Sequence, residues 1–393
     1  MTVVETAARW GVSPRWAYKY LKDGRVKGAV RFGSVWMIPA GAEKPNDPRR
    51  EKERNALACD LIDIIKATTL PMPRHRPDAI LDAVGEERLR LHYEGELAYL
   101  RGDFERVTGC FRRIGAGDDA GRLRAAPLTI AAAISLGDNA LYQELETWLK
   151  RMIQADFGAE VTAVAELSLD TVYTGATAPN LVSARLKDGD FSALPPQARP
   201  DAAYKRAKYF QCINQYESML AVAQTTLAFC ESEQEFSITD IYLRIVRILA
   251  CCHLNRIDEA KRCLLDAVKI CLPHGFITPF VESAAEFGGL LDQCLQREFP
   301  AYREDMAKQW QRTATRWVAF HNKLTRDNIR IVLSLRETQM MVLAARGIPY
   351  REIAEQFNLS AGRINNIMQE INEKLHVSGK KEHSQIYIYN KNP

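Results

Sequence analysis

Several chemistries are missing from this 393-residue sequence. There is no G-x-x-x-x-G-K-[ST] loop, so no backbone cradle for a triphosphate is expected. The seven histidines include no H-x-x-x-H pair and no H-E-x-x-H, and there is neither a G-x-S-x-G elbow nor a glycine-rich dinucleotide loop after a strand. These absences leave no support for an enzyme and no call for a cofactor or metal. No run approaches the roughly 20 apolar residues needed to span a bilayer. The opening MTVVETAARWG has no basic start followed by a long apolar stretch, as a secretory signal would. A soluble cytoplasmic protein without membrane contact is expected. The nine cysteines are odd in number and lack C-x-x-C spacing, which predicts buried, reduced thiols rather than disulfides. His253 and His274, near Cys252 and Cys271, are the one grouping from which a zinc site could be drawn.

What is present favours a folded, multidomain chain. Hydrophobic residues make up 47% of the sequence, enough for real cores, and the length predicts two or three domains. The net charge of +4 is unevenly spread. Residues 1–56 hold 12 basic and 6 acidic residues, and residues 328–393 hold 9 and 6. The stretch between them holds 32 and 37. Basic ends around an acidic middle suit DNA contact at the ends.

The most informative run is Leu333 to Val377, LSLRETQMMVLAARGIPYREIAEQFNLSAGRINNIMQEINEKLHV. Ser334 and Glu337 form a capping box, and Leu335, Met340, Val342 and Leu343 supply an apolar helical face. Gly347 is a helix stop, and Pro349 suits the first turn of a second helix, whose buried side is Ile353, Ala354 and Phe357. Asn358-Leu359-Ser360 is the turn, and Ser360 caps a third helix with Ile364, Ile367, Ile371 and Leu375 inward. Its opposite face carries Arg363, Asn365, Asn366, Gln369 and Asn372.

This run resembles the LuxR-type helix-turn-helix in its Leu-Ser-x-Arg-Glu, Glu-Ile-Ala, Leu-Ser and Glu-Lys-Leu-x-Val elements. The resemblance implies a third helix in the major groove, with Arg363, Asn365, Asn366 and Gln369 facing the DNA and Lys374 on its backbone. The chain departs from the family at Arg363, where threonine is usual, and at Asn366 and Ile367, where a basic residue and a histidine are common. Arg363 and Lys374 are balanced by Glu370 and Glu373, so the helix is formally neutral and should bind weakly alone. The family commonly dimerises through the next helix. Here that place is taken by Lys381 to Tyr389, a stretch rich in strand formers.

The N-terminus holds a second candidate. Thr2 and Glu5 form a capping box for a short helix through Ala7, Ala8 and Trp10, and Gly11 stops it. Ser13 and Pro14 open a second helix with Ala17, Tyr20 and Leu21 inward. Val26 to Phe32 and Val35 to Ile38 read as two strands around Gly33-Ser34, with Phe32 and Trp36 expected in a small core. The stretch resembles the MerR and excisionase-type winged helix-turn-helix. That resemblance implies a reading helix with Arg15, Trp16 and Lys19, and a wing with Arg31 and Ser34. Glu43 to Asn55 reads as a polar linker, whose Arg49, Arg50, Lys52 and Arg54 offer phosphate contacts.

Between about 57 and 327 helical signals dominate. Small residues and apolar stripes recur with tetratricopeptide spacing around Gly95–Ile114, Ile130–Leu149, Ala207–Ala223 and Cys251–Ala267. An α-solenoid presents a concave surface, and Tyr93, Tyr99, Tyr204, Tyr209, Phe210 and Tyr216 are candidates to line it. The stretch from Pro273 to Leu295 resembles the last sensor repeats of MalT-like LuxR regulators, here without their ATPase.

The expected fold is therefore mainly α. It comprises a winged helix-turn-helix over 1–42, a linker over 43–56, a tetratricopeptide-like helical domain over 57–327 and a LuxR-type helix-turn-helix over 328–393. The expected function is a DNA-binding transcriptional regulator. Its partners would be double-stranded DNA, RNA polymerase, a second copy of the chain, and a small-molecule, peptide or protein effector at the repeats. The alternative is an interaction scaffold whose end modules serve as docking or dimer surfaces.

Overall fold

In the computed structural model the chain divides into two units, Met1–Ala56 and Leu57–Pro393. Residues 1–45, 48–155, 157–230, 232–327 and 331–375 are described. Thr2 opens α1 (Val3–Trp10): its hydroxyl accepts from the Glu5 N–H at 3.2 Å, and the Glu5 carboxylate accepts from the Thr2 N–H at 2.8 Å. Gly11, at φ 63°, closes the helix in the left-handed conformation, which glycine adopts without a Cβ penalty. In α2 (Pro14–Lys22) the proline sits in the first turn, but the Ser13 side chain makes no capping bond. Ser13 therefore marks the helix start by its extended backbone only. Trp10, Ala17, Tyr20, Leu21, Val26 and Ile38 form a small core.

Strands β1 (Val30–Phe32) and β2 (Val35–Met37) pair antiparallel, with Phe32 opposite Val35. The first strand is shorter than the alternation from Val26 predicts. Gly28 takes φ 75°, which interrupts the extended run, and Val26 turns into the core instead. Side chains alternate across a strand, so Phe32 shares a face with Val30, Val35 and Met37, away from Trp36. All four are exposed, Phe32 by 76%. Phe32 is thus not part of the core, while Trp36 packs partly against it.

The expected linker also needs correcting, because α3 spans Pro48–Thr68. After its opening proline the segment has no helix breaker and is rich in Arg, Lys, Glu, Ala and Leu, all strong helix formers. In the second unit follow β3 (Met72–Pro73), α4 (Ala79–Ala83), α5 (Glu87–Arg101), α6 (Phe104–Ile114), α7 (Asp119–Leu136), α8 (Asn139–Gln154) and α9 (Ala159–Gly175). Next come α10 (Ala184–Asp188), α11 (Arg199–Cys212), α12 (Tyr216–Cys230), β4 (Glu235–Phe236), α13 (Ile238–His253) and α14 (Ile257–Cys271). The last are α15 (Thr278–Glu282), α16 (Gly289–Glu298), α17 (Tyr302–Thr325), α18 (Leu335–Ala345), α19 (Tyr350–Gln356) and α20 (Ala361–Leu375).

Neighbours in sequence are mostly neighbours in space. Helix α5 packs on α6, α6 on α7, α8 on α9, and α11 through α14 each on the next. The turns between them share a left-handed stop, and two of them add a capping aspartate. Gly102, Gly137, Asn214 and Asn255 all take positive φ, and Asp103 and Asp138 then accept from Arg106 N–H at 3.1 Å and Leu141 N–H at 3.0 Å. A left-handed stop followed by a capping aspartate reverses the chain tightly.

The row of helices is not an open trough. Helix α17 lies against α7 and α15, and α15 lies against α5 and α13. The Trp317 indole donates to Ser135 at 3.0 Å, and β3 pairs with β4 across 161 residues or more of chain, Met72 facing Phe236. The last helices thus fill the side expected to be concave and border a partly open cavity. Among the described residues no helix is long and apolar enough to cross a membrane.

Candidate nucleic-acid interface

Local chemistry builds the C-terminal three-helix module much as expected. Ser334 Oγ accepts from the Glu337 N–H at 3.3 Å, and the Glu337 carboxylate accepts from the Ser334 N–H at 2.9 Å. Gly347 takes φ 82° after α18. Pro349 precedes α19 as its N-cap rather than entering the first turn. Asn358, at φ 53°, makes the turn, and Ser360 Oγ accepts from the Arg363 N–H at 3.2 Å to open α20. The module core holds Leu333, Met340, Leu343, Ile353, Phe357, Ile364, Met368 and Ile371. Ile367 and Leu375 are only partly buried, and Met368 takes the inward place between Ile364 and Ile371.

Helix α20 presents Arg363, Asn365, Asn366 and Gln369 together on its exposed face. Asn365, Asn366 and Gln369 carry amides suited to bidentate bonds with adenine edges, and a free arginine suits guanine. The face is not strongly cationic. Arg363 lies 3.9 Å from Glu370, and Gln369 reaches Glu373 at 3.4 Å. Lys374 is tied at 2.5 Å to Glu337, so it clamps the end of α20 to the start of α18 instead of standing free for a phosphate. Burial works to raise the Glu337 carboxyl, but the Lys374 and Ser334 hydrogen bonds outweigh it and hold the group below its ordinary value.

Sequence reasoning missed what the module rests on. Helix α18 is buried on two sides. Gln339 donates to the Ala284 carbonyl at 2.8 Å, and Arg346 donates to the Glu286 carbonyl at 3.1 Å. From α16, Gln293 donates to the Gln356 carbonyl at 2.5 Å. Two glycines permit this approach. A Cβ at Gly288 would lie 3.0 Å from the Leu343 side chain, and one at Gly289 would lie 2.7 Å from the Gln356 carbonyl oxygen. The signal available in the sequence was the unbroken run Met340-Met341-Val342-Leu343, which is too apolar all round for a helix with one partner.

One polar cluster anchors this contact. Glu286 accepts from both Gln211 (2.7 and 2.8 Å) and His253 (2.9 Å), while Arg346 Nη2 lies 2.9 Å from the same His253 nitrogen. The His253 ring stacks on Tyr216 with centroids 4.0 Å apart. Burial pushes His253 down in pKa. Burial alone would raise Glu286, but the His253 hydrogen bond and the nearby Lys208 and Arg346 charges hold it at about 2. His253 is thus committed to this cluster. Among the described residues no group of three or more His, Cys, Asp or Glu could hold a metal. The nine cysteines are free, and burial pushes Cys252 and Cys271 up to about 12, far from reactive thiolates.

In the first unit Arg15, Trp16, Lys19, Arg31 and Ser34 are all exposed. The Lys19 ammonium sits 4.9 Å from the Trp16 ring centre, so α2 offers a cation backed by an aromatic plane. Arg31 Nε donates to the Gly33 carbonyl at 3.1 Å and braces the hairpin turn. The side chains of Arg49 and Arg50 lie outside the described residues, as do Val377 and the Lys381 to Tyr389 segment.

Residues 331–386 match the model of the luxR family of bacterial regulatory proteins. The match supports a DNA-binding transcription regulator whose luxR-type module binds double-stranded DNA. It covers α18, α19 and α20 and does not extend to the first unit or to α4 through α17. No curated protein and no solved structure matches the chain.

Proposed function

We propose that the chain is a cytoplasmic transcriptional regulator with two DNA-binding modules and a helical domain that senses an effector. The observation that carries this reading is the luxR-type module itself. Its α20 keeps Arg363, Asn365, Asn366 and Gln369 exposed while α18 and α19 take up the contact with the repeats. The reading face is therefore open in the docked arrangement.

The first unit supports a second module. Two short helices followed by a hairpin are the parts of a winged helix-turn-helix. Arg15, Trp16 and Lys19 lie on the exposed side of α2, and Arg31 and Ser34 on the hairpin. The enclosed repeat domain supports sensing, because its cavity is walled partly by the luxR-type module. A homodimer and a polymerase contact complete the reading.

A scaffold role is the second reading. Its support is the pairing of Lys374 with Glu337 and of Arg363 with Glu370, which leaves α20 little free charge. A gel shift on DNA from upstream of the protein's own gene decides between them. The regulator reading expects salt-sensitive binding that Arg15→Ala with Lys19→Ala weakens. No binding by the full chain at low salt would sink it in favour of the scaffold.

A further inference from the structure

Where the helical row closes on itself it lines a partly open cavity of about 640 Å³, within the range of ordinary ligand sites. Helices α5, α7, α9, α11, α13 and α17 contribute its walls, and Leu333, Thr338, Met341 and Leu375 of the luxR-type module close one side. Much of the lining is apolar, including Leu128, Val246, Leu249, Trp310 and Val318.

Its polar groups are mostly spoken for. Arg124 is paired with Glu96 at 2.7 Å, Lys205 with Asp201 at 2.5 Å and Lys374 with Glu337 at 2.5 Å. Lys208 is held at 2.5 Å by Gln211, whose amide in turn serves Glu286. Glu282 differs. Tyr99 donates to one of its oxygens at 2.6 Å and Tyr242 to the other at 2.9 Å. Tyr204 lies tilted beside Tyr242, ring centres 5.2 Å apart, and also lines the cavity. Among the described residues no cation lies within ion-pair distance of Glu282. The side chain sits deep in the protein, where desolvation raises its pKa, yet its surface is exposed. The space it is exposed to is the cavity.

A carboxylate has about four lone-pair positions. Two tyrosine hydroxyls fill two and fix the group's orientation, and the other two remain for donors from within the cavity. An anion would meet the Glu282 charge, and Lys208, the nearby cavity cation whose charge already acts on Glu282, is held by Gln211. A neutral ligand would leave a deep carboxylate without its counter-charge, which is costly. An ammonium group satisfies both charge and lone pairs, and neighbouring tyrosine rings favour cations. We propose that this cavity binds an amphipathic organic amine, its ammonium on Glu282 among Tyr99, Tyr204 and Tyr242 and its apolar body along the Leu128 and Trp310 walls. The regulatory sense of this site rests on the reading of the chain as an effector-responsive regulator; the binding chemistry does not.

Isothermal titration of the full chain with octylamine, octanoate and 1-octanol at pH 7 tests the site. Octylamine binds and raises Tm, while octanoate and octanol bind at least tenfold more weakly. Glu282→Gln, with its fold checked by circular dichroism, lowers octylamine affinity tenfold or more. Leu128→Trp, which fills the cavity and leaves Glu282 in place, lowers it as well. At saturation octylamine slows amide exchange in α18. Equal binding of octanoate or octanol, unchanged affinity in both variants, or unprotected α18 amides would overturn the proposal. A gel shift run without amine reports separately on the regulator reading: absent DNA binding sinks that reading and leaves the titration to decide the site.

Discussion

His92 is buried beside Arg124 and Arg88, and its Nε2 has no hydrogen-bond partner among the described residues. Desolvation and those two cations lower its pKa from 6.5 to about 3. A group depressed in the fold contributes stability that is present above its unfolded pKa and lost as pH falls towards its folded one. Stability therefore declines between pH 6.5 and about 3, by about 1.4 kcal/mol per pH unit for one proton. His253 acts in the same direction. Urea melts at stepped pH should show this slope, and His92→Phe should flatten it with little change near pH 7. Gly289 is a second residue whose identity is set by its neighbour. The Cβ of Gly289→Ala would meet the Gln356 carbonyl at 2.7 Å, a backbone atom that moves only with α19. Overpacking of this kind costs roughly 1–3 kcal/mol, and amide exchange in α19 should rise in the variant.

Among elements, those whose ends are set by local chemistry could be read directly. The capping box of α1, the box of α18 and the Ser360 cap of α20 stand where the sequence places them. Local chemistry also gave the inward faces of α2 and α20, apart from Met368. It failed where a distant partner decides. Tyr93 is fully buried, bonded to the Ala67 and Leu70 carbonyls at 3.0 and 3.1 Å. Tyr216 stacks on His253 instead of lining a surface, and of the six candidate aromatics only Tyr99 and Tyr204 reach the cavity. Periodicity marks which side of a helix is buried, not which of two partners covers it. Two predictions belong here. Ser360→Ala removes the acceptor for the Arg363 N–H, so the module should lose about 1 kcal/mol in a thermal melt. Asn366→Ala with Gln369→Ala removes two exposed amides from α20. Discrimination between cognate and altered sites should fall by roughly 1–3 kcal/mol for each base edge that is no longer read, with non-specific binding little changed; unchanged discrimination would remove α20 as the reading helix.

For the whole molecule, charge sets a test of whether the two ends share DNA. The first 56 residues carry twice as many basic as acidic residues, 12 against 6, and residues 328–393 carry 9 against 6. In α20 the lysine is paired and the arginine lies near a glutamate, whereas Lys19 and Arg15 of α2 have no ion pair among the described residues. Affinity for duplex DNA falls with salt by about 0.9 log units per log unit for each phosphate neutralised. The salt slope therefore counts cations at the interface without knowledge of the target sequence. Deletion of residues 1–56 should flatten that slope more than deletion of residues 331–393 does. Loss of sequence discrimination should follow the opposite order if α20 reads bases while the first unit supplies the grip. A steeper loss of slope from the C-terminal deletion would assign the electrostatic grip to the luxR-type module, and would require its paired Lys374 to leave Glu337 on binding. That exchange is itself measurable, because Glu337→Gln frees Lys374 and should then raise DNA affinity at low salt.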